Sequence, residues 1–163
     1  MNTRFAVATH ALTFLAYAQG RWVTSEELAT SINTHPALVR RMLSMLRAAG
    51  LVETQLGPGG GARLARLPER ISLLEVYQAI EADDDWFAVN RLSPNPKCPL
   101  GAGIRATLEC VLAKPEEALR AALGRVTIRR VFEAATQHVT PGVPVCAAGT
   151  AHKETAARKK DFG

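Results

Sequence analysis

Three arginines and no acidic residue lie between Pro36 and Gly50. The apolar residues of this stretch recur at steps of three and four, which predicts a helix with one buried stripe. The stripe consists of Leu38, Val39, Met42, Leu43 and Leu46. The opposite face carries Ala37, Arg40, Arg41, Ser44 and Arg47. Guanidinium and hydroxyl groups donate hydrogen bonds to phosphates and base edges, so this face has the chemistry that a helix in a DNA major groove needs.

A shorter helix is predicted directly before this basic one. Thr24 and Glu27 have the spacing of a capping box, which marks the start of a helix. Asn33 and Thr34 suit a tight turn, and Pro36 suits the first turn of the next helix. The pattern predicts a helix-turn-helix. The alternative is an ordinary helical hairpin whose basic face is only solvated.

After Gly50 the pattern changes to that of a β-hairpin. Residues 51–56 and 62–67 have strand character, and the glycine-rich segment 57–61 separates them. Glycine backbone can approach phosphates or enter the minor groove closely. The residues that we assign to such contacts are Gly60, Gly61, Arg63 and Arg66. A nucleotide-binding loop is disfavoured because the Lys-Ser/Thr ending is absent, whereas a hairpin that touches nothing remains an alternative.

These elements predict a mainly α protein with a small β-hairpin wing, in which a winged helix-turn-helix is followed by a long dimerisation helix. The first helix spans about residues 3–18, and Ser72 with Glu75 opens another that ends near residue 82. We expect residues 1–82 to form the DNA-binding domain, residues 83–137 to form a linker and dimerisation helices, and residues 138–163 to be a disordered basic tail.

The long helix is predicted over residues 99–124, with a last short helix over residues 128–137. Pro115 is expected to kink or break the long helix near Leu112. A long apolar stripe distal to the DNA-binding unit favours a homodimer seam, and packing within its own chain is the alternative. The stripe consists of Ile104, Leu108, Val111, Ala118 and Ala122.

The charge of the chain favours an anionic partner. The net charge of the 163 residues is +5, and residues 1–70 hold eight Lys/Arg against four Asp/Glu. No segment has the roughly 18 apolar residues of a membrane span, and three cysteines without paired spacing argue against a secreted disulfide scaffold. We therefore expect a cytoplasmic protein without a membrane partner. The four histidines are scattered and form no recognisable catalytic or metal-binding spacing, so an enzyme is not expected.

Cys98 is the cysteine best placed for chemistry. It lies beside Lys97 at the predicted start of the long helix, and both features favour a reactive thiolate. Twelve helical residues separate it from Cys110, a rise of about 18 Å, so the two cannot form a disulfide, which needs Cα atoms within about 7 Å. An iron–sulfur site would need Cys98 and further ligands, such as His138 or a partner chain. Cys110 is expected to be a small core residue, and Cys98 without a sensor role remains an alternative.

The whole pattern resembles the bacterial winged-helix regulators that include IscR, NsrR and CymR, and most closely their YwnA-like branch. The matching stretches are NTRFAVATHALTFLAY, TSEELATSINTHPALVRRML, LRAAGLVETQLGPGGGARLA, LPERISLLEVYQAIE, NPKCPLG and RVTIRRVF. The resemblance implies homodimers that bind palindromic operators and repress, with DNA contacts at Ala37, Arg40, Arg41, Gly60, Gly61 and Arg63. Two departures stand out. Ala62 replaces a frequent aromatic residue, and Cys98 stands where cluster-binding members carry three cysteines.

The sequence thus predicts a sequence-specific transcriptional regulator. Phosphate contacts are assigned to Arg40, Arg47, Arg63 and Arg66, and base-edge contacts to Ala37, Arg41 and Ser44. The expected partners are double-stranded DNA, a second copy of the chain and an unknown small-molecule or redox signal. No cofactor is expected. The alternatives are a winged-helix module that binds a protein, and a regulator that depends on an iron–sulfur cluster.

Overall fold

The computed structural model describes residues 3–81, 86–87, 89 and 92–137. Within these residues, helices predominate and one antiparallel hairpin is present, which confirms the predicted fold class. The elements are α1 (Thr3–Tyr17), α2 (Ser25–Ile32), α3 (Pro36–Ala48), β1 (Val52–Gln55), β2 (Gly61–Leu64), a 3-10 turn (Pro68–Arg70), α4 (Leu73–Ile80), α5 (Pro99–Arg125) and α6 (Ile128–Gln137). The predicted tail, 138–163, lies outside the described residues.

One apolar core joins the helix-turn-helix to α1. The predicted stripe of α3 is buried at Val39, Met42, Leu43 and Leu46, whereas Leu38 is half-buried. These side chains pack with Leu28 of α2 and with the buried side of α1. Burying a side chain of this size contributes about 1.5–3 kcal/mol, so the buried face fixes which face of α3 points to solvent.

Local hydrogen bonds and backbone conformation define both ends of α2. The Thr24 hydroxyl accepts from the Glu27 N–H at 3.2 Å, so Thr24 caps α2 as predicted. The Glu27 carboxylate does not complete the box, because it accepts two hydrogen bonds from Arg21 at 2.7 and 3.0 Å. Asn33 ends α2 with a φ of 57°, a left-handed conformation that asparagine tolerates. The predicted helix-turn-helix is confirmed.

The hairpin is shorter than predicted, and it is attached to the chain before α2. Val52 pairs with Leu64, and Gln55 pairs with Gly61. Val23 donates to the Ala62 carbonyl at 2.9 Å and accepts from the Ala62 N–H at 2.8 Å, so it extends the sheet by one residue. This pairing holds the wing against the helical body.

The chain returns from α5 to the core that supports the helix-turn-helix. Ser72 and Glu75 form the complete capping box at the start of α4, as predicted. Leu73 N–H donates to Val126 at 2.8 Å and Ile128 N–H to Ile71 at 2.9 Å. Ile128 is fully buried in the core that also contains α1. The α6 helix therefore packs on α1. The boundary predicted at residue 82, between the DNA-binding domain and the dimerisation helices, stays a prediction.

Helix α5 differs from the rest because none of its residues is buried within the described chain. The helix runs continuously from Pro99 to Arg125, so of the two outcomes predicted for Pro115 a break does not occur, and a kink stays a prediction. Proline removes the hydrogen bond to the carbonyl four residues earlier, here that of Val111. Val111 is 62% exposed, so water can hydrate this carbonyl. None of the described helices combines the length and apolar character of a membrane span.

Candidate nucleic-acid interface

The predicted DNA-reading residues share the outward face of α3. All five are exposed, while the apolar stripe on the opposite side of the same helix is buried. They are Ala37, Arg40, Arg41, Ser44 and Arg47. Because α3 has its inner side fixed by the core, this face forms one exposed surface about 15 Å long from Ala37 to Arg47, at 1.5 Å per residue.

The arginines of this face differ in their partners. Arg40 donates to the Glu26 carboxylate of α2 at 3.1 Å, and both side chains are about 60% exposed. Arg47 makes a long contact of 3.4 Å with the Thr54 hydroxyl on β1. Arg41 has no ion pair or side-chain hydrogen bond with any described residue, so its guanidinium is available to a ligand. Sequence reasoning identified the arginines and missed the role of Glu26, which lies fourteen residues before Arg40.

The carboxyl group of Glu26 is held in its ionised form. Its pKa lies below the ordinary value, chiefly because its own backbone N–H at the start of α2 donates to it, and then because of the Ser25 hydroxyl and Arg40. A negative charge therefore stands beside the basic face at neutral pH. Any anion that binds Arg40 must compete with this carboxylate.

The two glycines assigned to the wing have a packing requirement. A Cβ at Gly60 would clash with the Gln55 carbonyl oxygen, and a Cβ at Gly61 would clash with that of Val23. Gly60 is also buried. These glycines are needed to close the hairpin, whether or not they contact DNA. The most exposed apolar residue of the wing is Leu56, which is 95% exposed and which the sequence reasoning did not single out.

The two wing arginines are held at different places. Arg63 donates to Glu53 across the hairpin at 2.7 Å, and its guanidinium carbon lies 4.3 Å from the ring centroid of Trp22. Arg66 lies after β2 and donates to Glu75 of the α4 cap at 2.8 Å. Trp22 was missed because its contact depends on the pairing of Val23 with the wing. Arg63 thus belongs to the wing surface and Arg66 to the wing root.

Neither described cysteine is bonded or buried. Cys98 is the residue preceding α5 and is exposed, as a reactive thiol requires. The prediction that Cys110 is a core residue is wrong for the single chain, because Cys110 is exposed. Among the described residues, no three His, Cys, Asp or Glu side chains come together as a metal site. The described part of one chain therefore does not supply the donor set of an iron–sulfur cluster, and His138 lies outside it.

The histidines in the described part of the chain do not form a catalytic group with an acid or a thiol. His10 lies 3.2 Å from the Ser31 hydroxyl, and partial burial lowers its pKa. His35 precedes α3 without capping it through its side chain. The single contact between His10 and a hydroxyl joins α1 to α2, which is a packing role.

Known proteins with the same arrangement are transcriptional regulators. The family model "Rrf2: Iron-dependent Transcriptional regulator" matches residues 1–134. YwnA of Bacillus subtilis (strain 168), named as a candidate HTH-type transcriptional regulator, is 37% identical over 132 residues, which cover 81% of this chain and 96% of YwnA. A crystal structure described as that of a candidate DNA-binding protein has a TM-score of 0.63 at 34% identity, with 80% of this chain and 99% of its own covered.

The fold is shared more widely than the sequence. IscR of T. potens has a TM-score of 0.63 at 20% identity, with 87% of this chain and 93% of IscR covered. The resemblance predicted from the sequence is therefore confirmed, and the relatives are regulators rather than enzymes. Because the family model and YwnA both match most of its length, and because its structure contains the winged helix-turn-helix, the chain belongs to the Rrf2 family of DNA-binding transcriptional regulators.

Proposed function

We propose that this regulator is a homodimeric repressor that reads a palindromic operator through α3 and the wing. The observation that carries the proposal is the outward face of α3, where exposed donors lie opposite the buried residues Val39, Met42, Leu43 and Leu46. A helix with this division can lie in the major groove while its other side stays in the core. DNA and the protein share a compartment, so we expect the protein in the cytoplasm.

The residues divide into two groups by the chemistry of their contacts. Arg40, Arg47, Arg63 and Arg66 are proposed to bind phosphates, which sets affinity and salt dependence. Ala37, Arg41 and Ser44 are proposed to read base edges. The absence of a described intramolecular partner for Arg41 supports its assignment, because a guanidinium that reads guanine must be able to use its donors for the base. Gly60 and Gly61 bring the wing backbone into contact with DNA or shape the hairpin that does so.

The proposal of a homodimer rests on α5. None of its residues is buried in the described chain, and Leu100, Val111 and Leu119 are 81%, 62% and 37% exposed. A long helix with an exposed apolar stripe is stabilised by pairing with a second copy. Sedimentation should give a dimer for the native chain and a monomer for Val111→Glu. Ala113→Glu, which alters an exposed position on another side of α5, should leave the dimer intact.

The proposal of operator binding is tested by fluorescence anisotropy at physiological salt. The duplex upstream of the protein's own gene is compared with a scrambled duplex of equal length and composition. Specific regulators prefer their sites by roughly 10³-fold or more, and this preference is expected for the native chain. Equal affinity for the two duplexes would contradict autoregulation and would favour a winged-helix module whose partner is a protein.

The signal is proposed to act on Cys98 without a resident cofactor. Cys98 is exposed and immediately precedes α5, the proposed dimer helix, so its oxidation can alter the dimer. Mild oxidation is expected to abolish the operator preference of the native chain but not that of Cys98→Ser. Visible absorbance of protein purified without oxygen tests the alternative, since an iron–sulfur cluster absorbs there and a free thiol does not.

A further inference from the structure

A groove of about 710 Å³ lies at the root of the wing, outside the α3 face. The end of α1, the segment that follows β2 and one residue of α6 form its walls. Apolar side chains line much of it, among them Leu15, Leu64 and Leu67. Leu15 is buried, whereas Leu67 in the same groove is 63% exposed, so the groove presents apolar surface to solvent. Its volume lies within the range of small-molecule sites, about 300–1,000 Å³.

The charged residues of the groove carry an excess of positive charge. Three arginines line it, Arg66, Arg70 and Arg129, against the single carboxylate of Glu69. Arg66 is paired with Glu75, and Arg129 donates to Glu133 at 2.6 Å and to Glu69 at 3.4 Å. The side chain of Arg70 makes no ion pair or hydrogen bond with the described residues. A guanidinium without an acceptor beside an open apolar wall is complementary to an anion that carries an apolar body.

We propose that this groove is a binding site for a small organic anion with an aromatic or alicyclic body, such as a carboxylate. The anionic group binds Arg70, where a guanidinium can donate two parallel hydrogen bonds to a carboxylate. The apolar body covers Leu67 and the wall formed by Leu64. This occupant accounts for both features of the groove, the exposed Leu67 and the guanidinium of Arg70, which has no partner among the described residues.

The site has a direct route to the wing. Leu64 is the last residue of β2, and the groove joins it to α1 and to Arg129 of α6. A ligand that bridges these elements favours the wing orientation in which the groove is closed around it, and so changes affinity for DNA. This second step rests on the proposed function, whereas binding of the anion to the groove does not.

The probe for the site is 8-anilinonaphthalene-1-sulfonate, an aromatic anion whose fluorescence rises in apolar surroundings. It is titrated into the full chain and into Arg70→Ala and Leu67→Asn. Loss of a charge-assisted contact is expected to weaken binding by roughly tenfold in Arg70→Ala, and Leu67→Asn is expected to weaken it as well. The matched control is Arg130→Ala, which removes an exposed arginine of α6 outside the groove. It should bind the probe as the native chain does.

Competition separates the proposed ligand from other sources of binding. Benzoate should displace the probe, and inorganic phosphate at the same concentration should not, because phosphate has no apolar body. Native affinity in Arg70→Ala or in Leu67→Asn would overturn the proposal, since the probe would then lie elsewhere, for example on α5. Equal displacement by phosphate would overturn it too. Circular dichroism of each variant verifies that these exposed substitutions leave the fold intact.

A DNA titration with and without saturating probe keeps the two steps distinguishable. The expected result is a change in operator affinity for the native chain and none for Arg70→Ala. Probe binding that depends on Arg70 but leaves operator affinity unchanged would refute the coupling and leave the site established. Loss of DNA binding in Arg70→Ala with unchanged probe binding would identify the groove arginines as phosphate contacts and overturn the proposal.

Discussion

Replacing Glu26 by glutamine is expected to tighten DNA binding, because the Glu26 carboxylate competes with phosphate for Arg40. The ion pair is 3.1 Å long, and both side chains are about 60% exposed. If Arg40 contacts a phosphate, this pair must be broken or shared on binding. Glutamine keeps the shape of the side chain and removes its charge, so the change isolates the electrostatic contribution.

The size of the effect follows from the exposure of the pair. At 3.1 Å in bulk water, Coulomb's law gives about 1.3 kcal/mol, and measured exposed pairs give about 0.2–1 kcal/mol. The measured range corresponds to about 1.4- to 5-fold in affinity per site. A homodimer carries two such pairs, so the factor squares to about 2- to 30-fold. The gain should apply equally to operator and scrambled duplexes, because phosphate contacts carry no sequence information.

Anisotropy titrations across a series of salt concentrations measure this prediction. While Glu26 neutralises Arg40, binding of Arg40 to a phosphate releases fewer counterions from the DNA. Removing the charge of Glu26 should therefore steepen the slope of log K against log salt concentration. The increase is up to about 0.9 for each phosphate contact. The difference between variant and native chain should shrink at high salt, where exposed charges are screened.

Glu133→Gln is the matched control, because Glu133 forms a pair of similar exposure with Arg129 on α6, 2.6 Å long. It is expected to leave the affinity for both duplexes unchanged. Weaker binding by Glu26→Gln would refute the reasoning, since it would mean that Glu26 positions Arg40 for DNA instead of competing for it. An unchanged salt slope would remove Arg40 from the phosphate contacts.

Three further predictions follow from the same geometry. Arg41→Ala should lower the preference for operator over scrambled duplex, whereas Arg66→Ala should weaken the affinity for both duplexes equally. Competition titrations measure this, and an unchanged preference in Arg41→Ala would exclude Arg41 from base readout. Gly61→Ala should destabilise the fold by about 1–3 kcal/mol because the added Cβ would clash with the Val23 carbonyl oxygen, whereas Gly103→Ala, in open space on α5, should not destabilise it. Chemical denaturation measures both variants, and equal stabilities would contradict the packing argument. Partial burial raises the pKa of Glu75, but hydrogen bonds from the Ser72 backbone and from Arg66 outweigh it, so the pKa lies below its ordinary value of 4.5. Its charge therefore stabilises the fold above pH 4.5, and this contribution is lost as the pH falls through the lowered pKa. Glu75→Gln, which can still accept at the cap, should lower the melting temperature at pH 7 and differ less from the native chain at pH 3; a constant difference would refute the charge effect.

The sequence predicted the elements of this fold well because their signals are local. The three- and four-residue spacing of Val39, Met42 and Leu46 fixes both the helix and its outward face, and Ser72 with Glu75 marks the start of α4 within four residues. The glycine-rich turn likewise located the hairpin. Such signals need no knowledge of neighbours in space.

What the sequence analysis missed or misjudged concerns contacts between distant parts of the chain or with water. Glu26 meets Arg40 only after α2 and α3 pack, and Gly60 is buried only because the hairpin closes on Gln55. Cys110 lies on α5, none of whose residues is buried within the described chain, so it stays exposed. Pro115 lies in an exposed stretch of α5, where water can replace the lost hydrogen bond. Periodicity indicates which face is apolar, and only the assembled structure shows what covers it.

The return of the chain at Ile128 has a mechanical consequence. Backbone hydrogen bonds join Ile71 to Ile128 and Leu73 to Val126, so the end of α5 is fastened to the start of α4. Ile128 then anchors the chain in the same core that supports α3. In the proposed dimer, α5 therefore acts as a rigid spacer between the two winged helix-turn-helix units. A change in the crossing angle of the two α5 helices then changes the distance between the two α3 helices. The half-sites of an operator lie about 34–36 Å apart. A small change in the crossing angle therefore prevents the two α3 helices from entering successive major grooves together.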